Sequence, residues 1–249
     1  DISNRPALVL TDVGTQNPPQ VELTRTPAGL PEQFRYSFSQ RMDFSARDGV
    51  QVDAQFISRG GDAAGWINGN FNASQESLDY KLVRSVARSD QVRDWKVEGF
   101  AVRSRVVDDL KARLRYVDRA EGYRSTAGYS YPILPPDGLE RFLISIDQRV
   151  SDLYMGEPYI YEREMVLANL SVVGRESLAC SVDTPWVEVR REVASTGNGL
   201  KVSDRLLLKK TIITQKDFSN PQFAELQRKL VSCFRSSAVI YQHLKSSLE

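Results

Sequence analysis

Between positions 34 and 56 apolar side chains recur at every second residue. Phe34, Tyr36 and Phe38 alternate with Arg35, Ser37 and Ser39, and Val50, Val52, Ala54 and Phe56 alternate with Gln51, Asp53 and Gln55. A period of two puts apolar side chains on one face of a pleated strand and polar ones on the other. The segment therefore predicts two half-buried strands joined across Asp48-Gly49 as an antiparallel hairpin. Alternation returns at Trp95 and Val97, changes phase across Gly99 to Phe100 and Val102, and resumes through Leu110, Ala112, Leu114 and Tyr116. A phase change at a glycine predicts a bulge or a strand break. Tyr129, Tyr131 and Ile133 predict a further strand, which stops at the turn-forming run Pro135-Pro136-Asp137-Gly138.

Beyond that turn the predicted strands are short. They centre on Phe142, Ile144 and Ile146; Tyr159 and Tyr161; Leu178, Cys180 and Val182; Val187 and Val189; Leu200 and Val202; and Leu206 and Leu208. With Gly197-Asn198-Gly199 as a further turn, the pattern suits a β-sandwich. Helical spacing is confined to three places. Asp62 is placed to cap a helix over 63–67, and Ser74 precedes Leu78, Leu82 and Val86. The chain closes on a stripe of Phe223, Leu226, Leu230, Cys233, Ser237, Ile240 and Leu244. For that last helix Pro221 suits the first turn, Ser219 and Gln222 are expected to form a capping box, and the stripe is expected to pack on its own sheet.

These elements predict a mainly β chain of the α+β class with antiparallel, sandwich-like sheets. Residues 1–30, punctuated by prolines and by Gly14 and Gly29, carry one apolar run from Ala7 to Leu10 and predict a strand followed by an extended strap. Residues 31–136 form an expected first β-rich domain with inserted helix, and 137–249 an expected second, sandwich-like domain closed by the C-terminal helix.

Composition narrows the function classes. The 249 residues suffice for cores that need neither metal nor disulfide, and 33 basic against 32 acidic residues leave a net charge of +1. Bulk attraction to nucleic acid or an anionic membrane is therefore not expected. No apolar run approaches the roughly 18 residues that cross a bilayer, so no membrane insertion is expected. The start Asp1-Ile2-Ser3-Asn4-Arg5-Pro6 has neither the basic beginning nor the apolar core of a signal peptide, leaving a cytosolic chain or an excised piece. Cys180 follows the inward parity of Leu178 and Val182, and Cys233 the stripe of the last helix. Both are expected to face one core, as buried thiols in preference to a disulfide.

Motifs for chemistry are few. The one histidine, His243, falls at the expected end of the last helix, which disfavours a Ser-His-Asp or Cys-His machine and the usual zinc sites. There is no GxxxxGK[ST], and Gly60-Gly61 is followed by Asp62 where a phosphate would sit, so no nucleotide cofactor is expected. Carboxylate pairs remain: Asp108 with Asp109, which point to opposite faces of a strand, and Glu162 with Glu164, which share one. Solvated acids paired with arginine are the plainer expectation.

Two candidate binding features stand out. Lys111, Arg113 and Arg115 form a basic strip on one face of a strand, suited to an anionic glycan or acidic segment, although the wet face of an ordinary sheet has the same pattern. Tyr154, Tyr159, Tyr161 and Trp186 offer an aromatic platform, although aromatics at strand parity are commonly core.

Three stretches carry a family resemblance: Pro6-Ala7-Leu8-Val9-Leu10; Gly60-Gly61-Asp62-Ala63-Ala64, opening a helix after a strand; and Asp152-Leu153-Tyr154-Met155-Gly156-Glu157-Pro158. With them the chain resembles the region after the papain-like core of bacterial transglutaminase-like proteins that carry an N-terminal domain of unknown function. That family's Cys-His-Asp triad has no counterpart here, since Cys180 lies in a strand-like run and no histidine precedes the tail. The resemblance implies a non-catalytic accessory module that packs against, or shapes the substrate cleft of, a papain-like domain upstream in the same polypeptide. It also implies export to the periplasm or cell envelope. The competing expectations are a carbohydrate-binding or adhesive module with a protein or glycan ligand, and a carboxylate-dependent hydrolase.

Overall fold

The computed structural model describes residues 6–11, 20–25, 29–46, 48–100, 109–119, 124–125, 128–143, 151–174, 178–234 and 238–243. In chain order the first half holds β1 (Pro6–Thr11), β2 (Gln20–Arg25), β3 (Arg35–Asp43), β4 (Val50–Arg59), α1 (Gly61–Asn70), α2 (Gln75–Ala87), β5 (Val92–Glu98), β6 (Asp109–Asp118), β7 (Arg124–Ser125) and β8 (Gly128–Pro132). The second half holds β9 (Leu153–Tyr154), β10 (Ile160–Ala168), β11 (Leu170–Gly174), β12 (Cys180–Asp183), β13 (Val187–Thr196), β14 (Gly199–Leu208), β15 (Ile212–Ile213), α3 (Gln215–Phe218), α4 (Pro221–Phe234) and β16 (Ala238–His243). The architecture is mainly β with antiparallel pairing, as the alternation predicts.

One eight-stranded sheet, ordered β12-β13-β14-β10-β3-β4-β6-β5, organises the molecule. Its single parallel pair joins β3 to β10, so strands from either side of the expected boundary at 136/137 are hydrogen-bonded neighbours. The two expected domains thus share one sheet, because a strand from the second half supplies the partner that β3 lacks locally. Inward positions alternate strictly: Val52, Ala54 and Phe56 of β4, and Leu110, Ala112 and Leu114 of β6, are buried while their neighbours are wet. Each fully buried Val, Leu or Phe among them stabilises the fold by about 1.5–3 kcal/mol. α2 covers the β5–β6 end and α4 the β12 end. A four-stranded sheet, β11-β16-β8-β7, packs beside the main sheet, with its Tyr131 and Tyr241 edge-on to Phe44, which follows β3.

Several sequence expectations are corrected. β1 pairs with β2, so the expected strap contains a second strand. Phe142 closes a 3-10 turn, Leu139–Phe142, and is not in a strand; Ile144 and Ile146 lie outside the described residues. The irregularity in β5 falls between Arg93 and Lys96, where Asp94 takes φ 50°, ahead of Gly99; Val102 is outside the described residues. α1 begins at a Gly60 N-cap with no side-chain capping bond. The last helix ends at Phe234, and Ile240 belongs to β16, where Val239 and Tyr241 point inward; Ser237 and Leu244 are outside the described residues. Asn220, not Ser219, caps that helix by accepting the Gln222 N–H at 3.0 Å, while the capping box is Thr214 with Asp217 on α3. Cys180 and Cys233 do face one core, but they are joined as a disulfide that ties α4 to β12. No helix among the described residues is long and apolar enough to cross a membrane.

Candidate functional site

The polar side chains at inward positions decide where the loops lie. Asp204 of β14, fully buried, accepts from Arg191 of β13 through Nε at 2.6 Å and from Arg163 of β10 through Nε at 2.9 Å. Both guanidiniums also donate to the Leu134 carbonyl, Arg191 at 2.8 Å, and Arg191 lies 4.8 Å over the Phe234 ring. Two buried cations on one carboxylate retain spare donors, and the carbonyl that absorbs them fixes the strand-to-turn segment leading to Asp137 and Gly138.

That turn forms one wall of a cleft of about 670 Å³, within the range of small-molecule sites. α1 and α2 form the facing wall through Gly61, Trp66, Asn70 and Lys81, and the Gly156-Glu157 loop with Arg141 completes the rim. The floor is the start of β3 and β10, where Tyr36 and Tyr161 stack with ring centroids 5.6 Å apart and planes within 5°. Two glycines in the left-handed region admit this closeness. A Cβ on Gly138 (φ 86°) would stand 2.0 Å from the Tyr159 hydroxyl, and one on Gly156 (φ 97°) would crowd Arg141 Nη1.

Polar groups of the cleft are unevenly satisfied. Arg59 is bidentate to Asp109 at 2.5 and 2.9 Å, and that bond holds the Asp109 carboxyl below its usual range. Lys81 donates to Asn70 Oδ1 at 2.8 Å and Arg141 to the Met155 carbonyl at 2.6 Å; among the described residues neither has a carboxylate partner. Asp137 pairs with Arg88 at 3.0 Å. The Tyr161 hydroxyl, in a residue 1% exposed, has no hydrogen-bond partner among the described residues, and burial pushes its pKa far above the ordinary phenol value, so it stays protonated.

The cleft unites part of what sequence singled out. Tyr159 and Tyr161 line it, and Tyr159 donates to the Asp137 carbonyl at 3.3 Å. Trp186 does not: it is 2% exposed and packs edge-on against Phe223 beneath α4. Tyr154 stands exposed on β9 with its hydroxyl on Glu157 at 2.8 Å. Lys111, Arg113 and Arg115 project from the opposite, wet face of the sheet, where Lys111 pairs with Asp109, and Arg113 and Arg115 share Asp53. Hydrogen bonding from Arg113 holds the Asp53 carboxyl below its usual range. Glu162 and Glu164 share that wet face, beside a shallower hollow of about 450 Å³ floored by Ser37, Ser39 and Ser203. Glu162 lies between Arg35 and Arg205, and Glu164 pairs with Lys201 at 2.7 Å. Asp108 is outside the described residues.

His243 sits in β16 and not at a helix end; its Nδ1 donates to the Phe44 carbonyl at 2.8 Å and its ring meets Tyr129 and Tyr241. Phe34, Trp66, Lys81 and Arg141 escaped sequence reasoning because they come from separate segments. No family model, curated protein or solved structure matches the chain. Its chemistry therefore has to be argued from the cleft. Two of the three stretches behind the transglutaminase-like resemblance do meet there, Gly61 on one wall and Gly156-Glu157 on the rim.

Proposed function

We propose that the chain is a non-catalytic recognition module whose binding site is the cleft between α1, α2 and the 137–141 and 156–159 segments. The observation that carries this assignment is the convergence on a single cavity of partly exposed rings and of cations without carboxylate partners among the described residues, with one unsatisfied hydroxyl buried beneath its floor. Rings supply area at low entropic cost and a few polar groups supply orientation. The groups that acyl-transfer or carboxylate chemistry would use are engaged elsewhere: both cysteines in the disulfide, His243 on a carbonyl, Glu162 and Glu164 in ion pairs.

On the resemblance to transglutaminase-like proteins, the partner is a papain-like domain of the same polypeptide, and the module is an accessory to it. The disulfide supports an oxidising setting such as the periplasm or cell envelope, where such bonds persist. Hydrogen exchange tests the assignment, comparing the chain alone with the chain mixed with the parent's papain-like domain. Slowed exchange in α1 and residues 156–159 is expected; unchanged exchange there removes the accessory assignment.

A further inference from the structure

We infer that the cleft takes a compact ring-bearing carboxylate. The inference rests on the cleft being the recognition site and adds the chemistry of its ligand. Three features, spread from the outside inwards, specify that chemistry. At the exposed rim stand Lys81 and Arg141, each bonded to a neutral oxygen alone among the described residues. An ammonium and a guanidinium in that condition keep donors for a carboxylate, and the guanidinium does so in a planar fork.

Between rim and floor the half-buried rings of Tyr36, Trp66 and Tyr159 offer flat apolar area. A six-membered ring, aromatic or pyranose, presents the complementary face. At the buried end the Tyr161 hydroxyl lacks a partner, and a buried hydroxyl left unsatisfied costs about 1–3 kcal/mol. That hydroxyl is sealed from solvent beneath the floor, so a ligand hydroxyl or ring oxygen that parted the floor to reach it would recover that cost, which gives the ligand a polar atom on the ring edge away from its carboxylate. Of the nearby acids, Asp137 is paired with Arg88, while Glu157 keeps its charge as it accepts from Tyr154 and forms no ion pair with Lys81 or Arg141 among the described residues.

Hydroxylated aromatic acids and hexuronic acids share this chemistry, and calorimetric titration separates them. The intact chain is titrated with 4-hydroxybenzoate, D-glucuronate, D-glucose and acetate up to about 10 mM. One or both ring acids are expected to bind, with glucose and acetate at least about tenfold weaker. Lys81→Gln and Arg141→Gln, at exposed positions, should each weaken the ring acid several-fold and together by about tenfold or more without moving the melting temperature. Tyr161→Phe, which keeps the stacked ring, should weaken it by a smaller factor. No ring-acid binding, glucose binding as tightly, or unchanged affinity in the folded double variant would overturn the inference. Absent ring-acid binding with the papain-like domain still slowing exchange in α1 would sink this inference alone. Ring-acid binding without such slowing would instead sink only the accessory assignment.

Discussion

Asp204 is the residue on which the inner face of the sheet turns. Its two arginine partners are themselves almost wholly buried, and among the described residues its carboxylate is the one negative charge that both contact. Removing one partner of such a group strands the remaining charge in a medium that solvates it poorly, at a cost of about 3–5 kcal/mol. Asp204→Ala should therefore lower the unfolding free energy by about that amount in urea titrations, more than any single ion pair on the wet face, where about 0–1 kcal/mol is usual. Replacing Arg163, Arg191 and Asp204 together with apolar residues of similar volume should cost far less, and an equal loss would show that the charges themselves are not at issue. The triad was legible at this scale and was missed. Arg163 holds the inward position between Tyr161 and Met165, and Asp204 the one between Val202 and Leu206. A charge at core parity is a stronger sign than the charge-rich neighbourhood in which it sits.

Among the elements, α3 and α4 are held by two devices of different kind. The disulfide closes a loop with a sequence separation of 53 residues, for which chain entropy allows about 4 kcal/mol. Reduction, or Cys180→Ser with Cys233→Ser, should lower the melting temperature accordingly and free α4 first, read as faster exchange in that helix. The second device is Asp217. Burial pushes its carboxyl up, but bonds from Lys210 at 2.6 and 2.8 Å and from the Thr214 N–H and hydroxyl more than offset it and hold the group well below the usual carboxylate range. A group whose native pKa is depressed contributes stability above its unfolded value and loses it as pH falls through the native one. Asp217→Asn should therefore cost about 1.5–3 kcal/mol at pH 7, with the gap to the unsubstituted chain closing progressively below about pH 4; a gap independent of pH would exclude the linkage.

Strands with one wet and one buried face were plain in the sequence, and β3, β4 and β6 lie where their alternation puts them, whereas the two short strands expected at Leu200 with Val202 and at Leu206 with Leu208 are one strand, β14, with Asp204 at the inward position between them. β16 was not. Val239 and Tyr241 sit two apart, while Ile240 extends the three-four stripe of α4, and a run this short fits either period. The cleft was the least legible part, since its rings read locally as core. The glycines Gly138 and Gly156 were its one local sign, because only their backbone conformation lets the walls approach.

For the molecule as a whole, the continuous sheet and continuous core predict a single cooperative unfolding transition. Calorimetry of the intact chain should give one peak whose van't Hoff and calorimetric enthalpies agree. Two resolved peaks would instead favour the division at 136/137. A chain cut at that point should leave β3 without its β10 neighbour and neither half able to fold, measured as the loss of near-ultraviolet circular dichroism in both.

The β3–β10 pairing also orders events during synthesis. Arg35 and Glu162 meet in the finished sheet although 127 residues separate them. A ribosome adds about 5–20 residues each second, so the β3–β4 hairpin emerges many seconds before the strand that covers its open side. Throughout that interval it presents unpaired amides and apolar side chains to other nascent chains. A chaperone that shelters this edge until β10 has cleared the exit tunnel should raise the yield of native protein, and slowing translation between the codons for β4 and β10 should depress it.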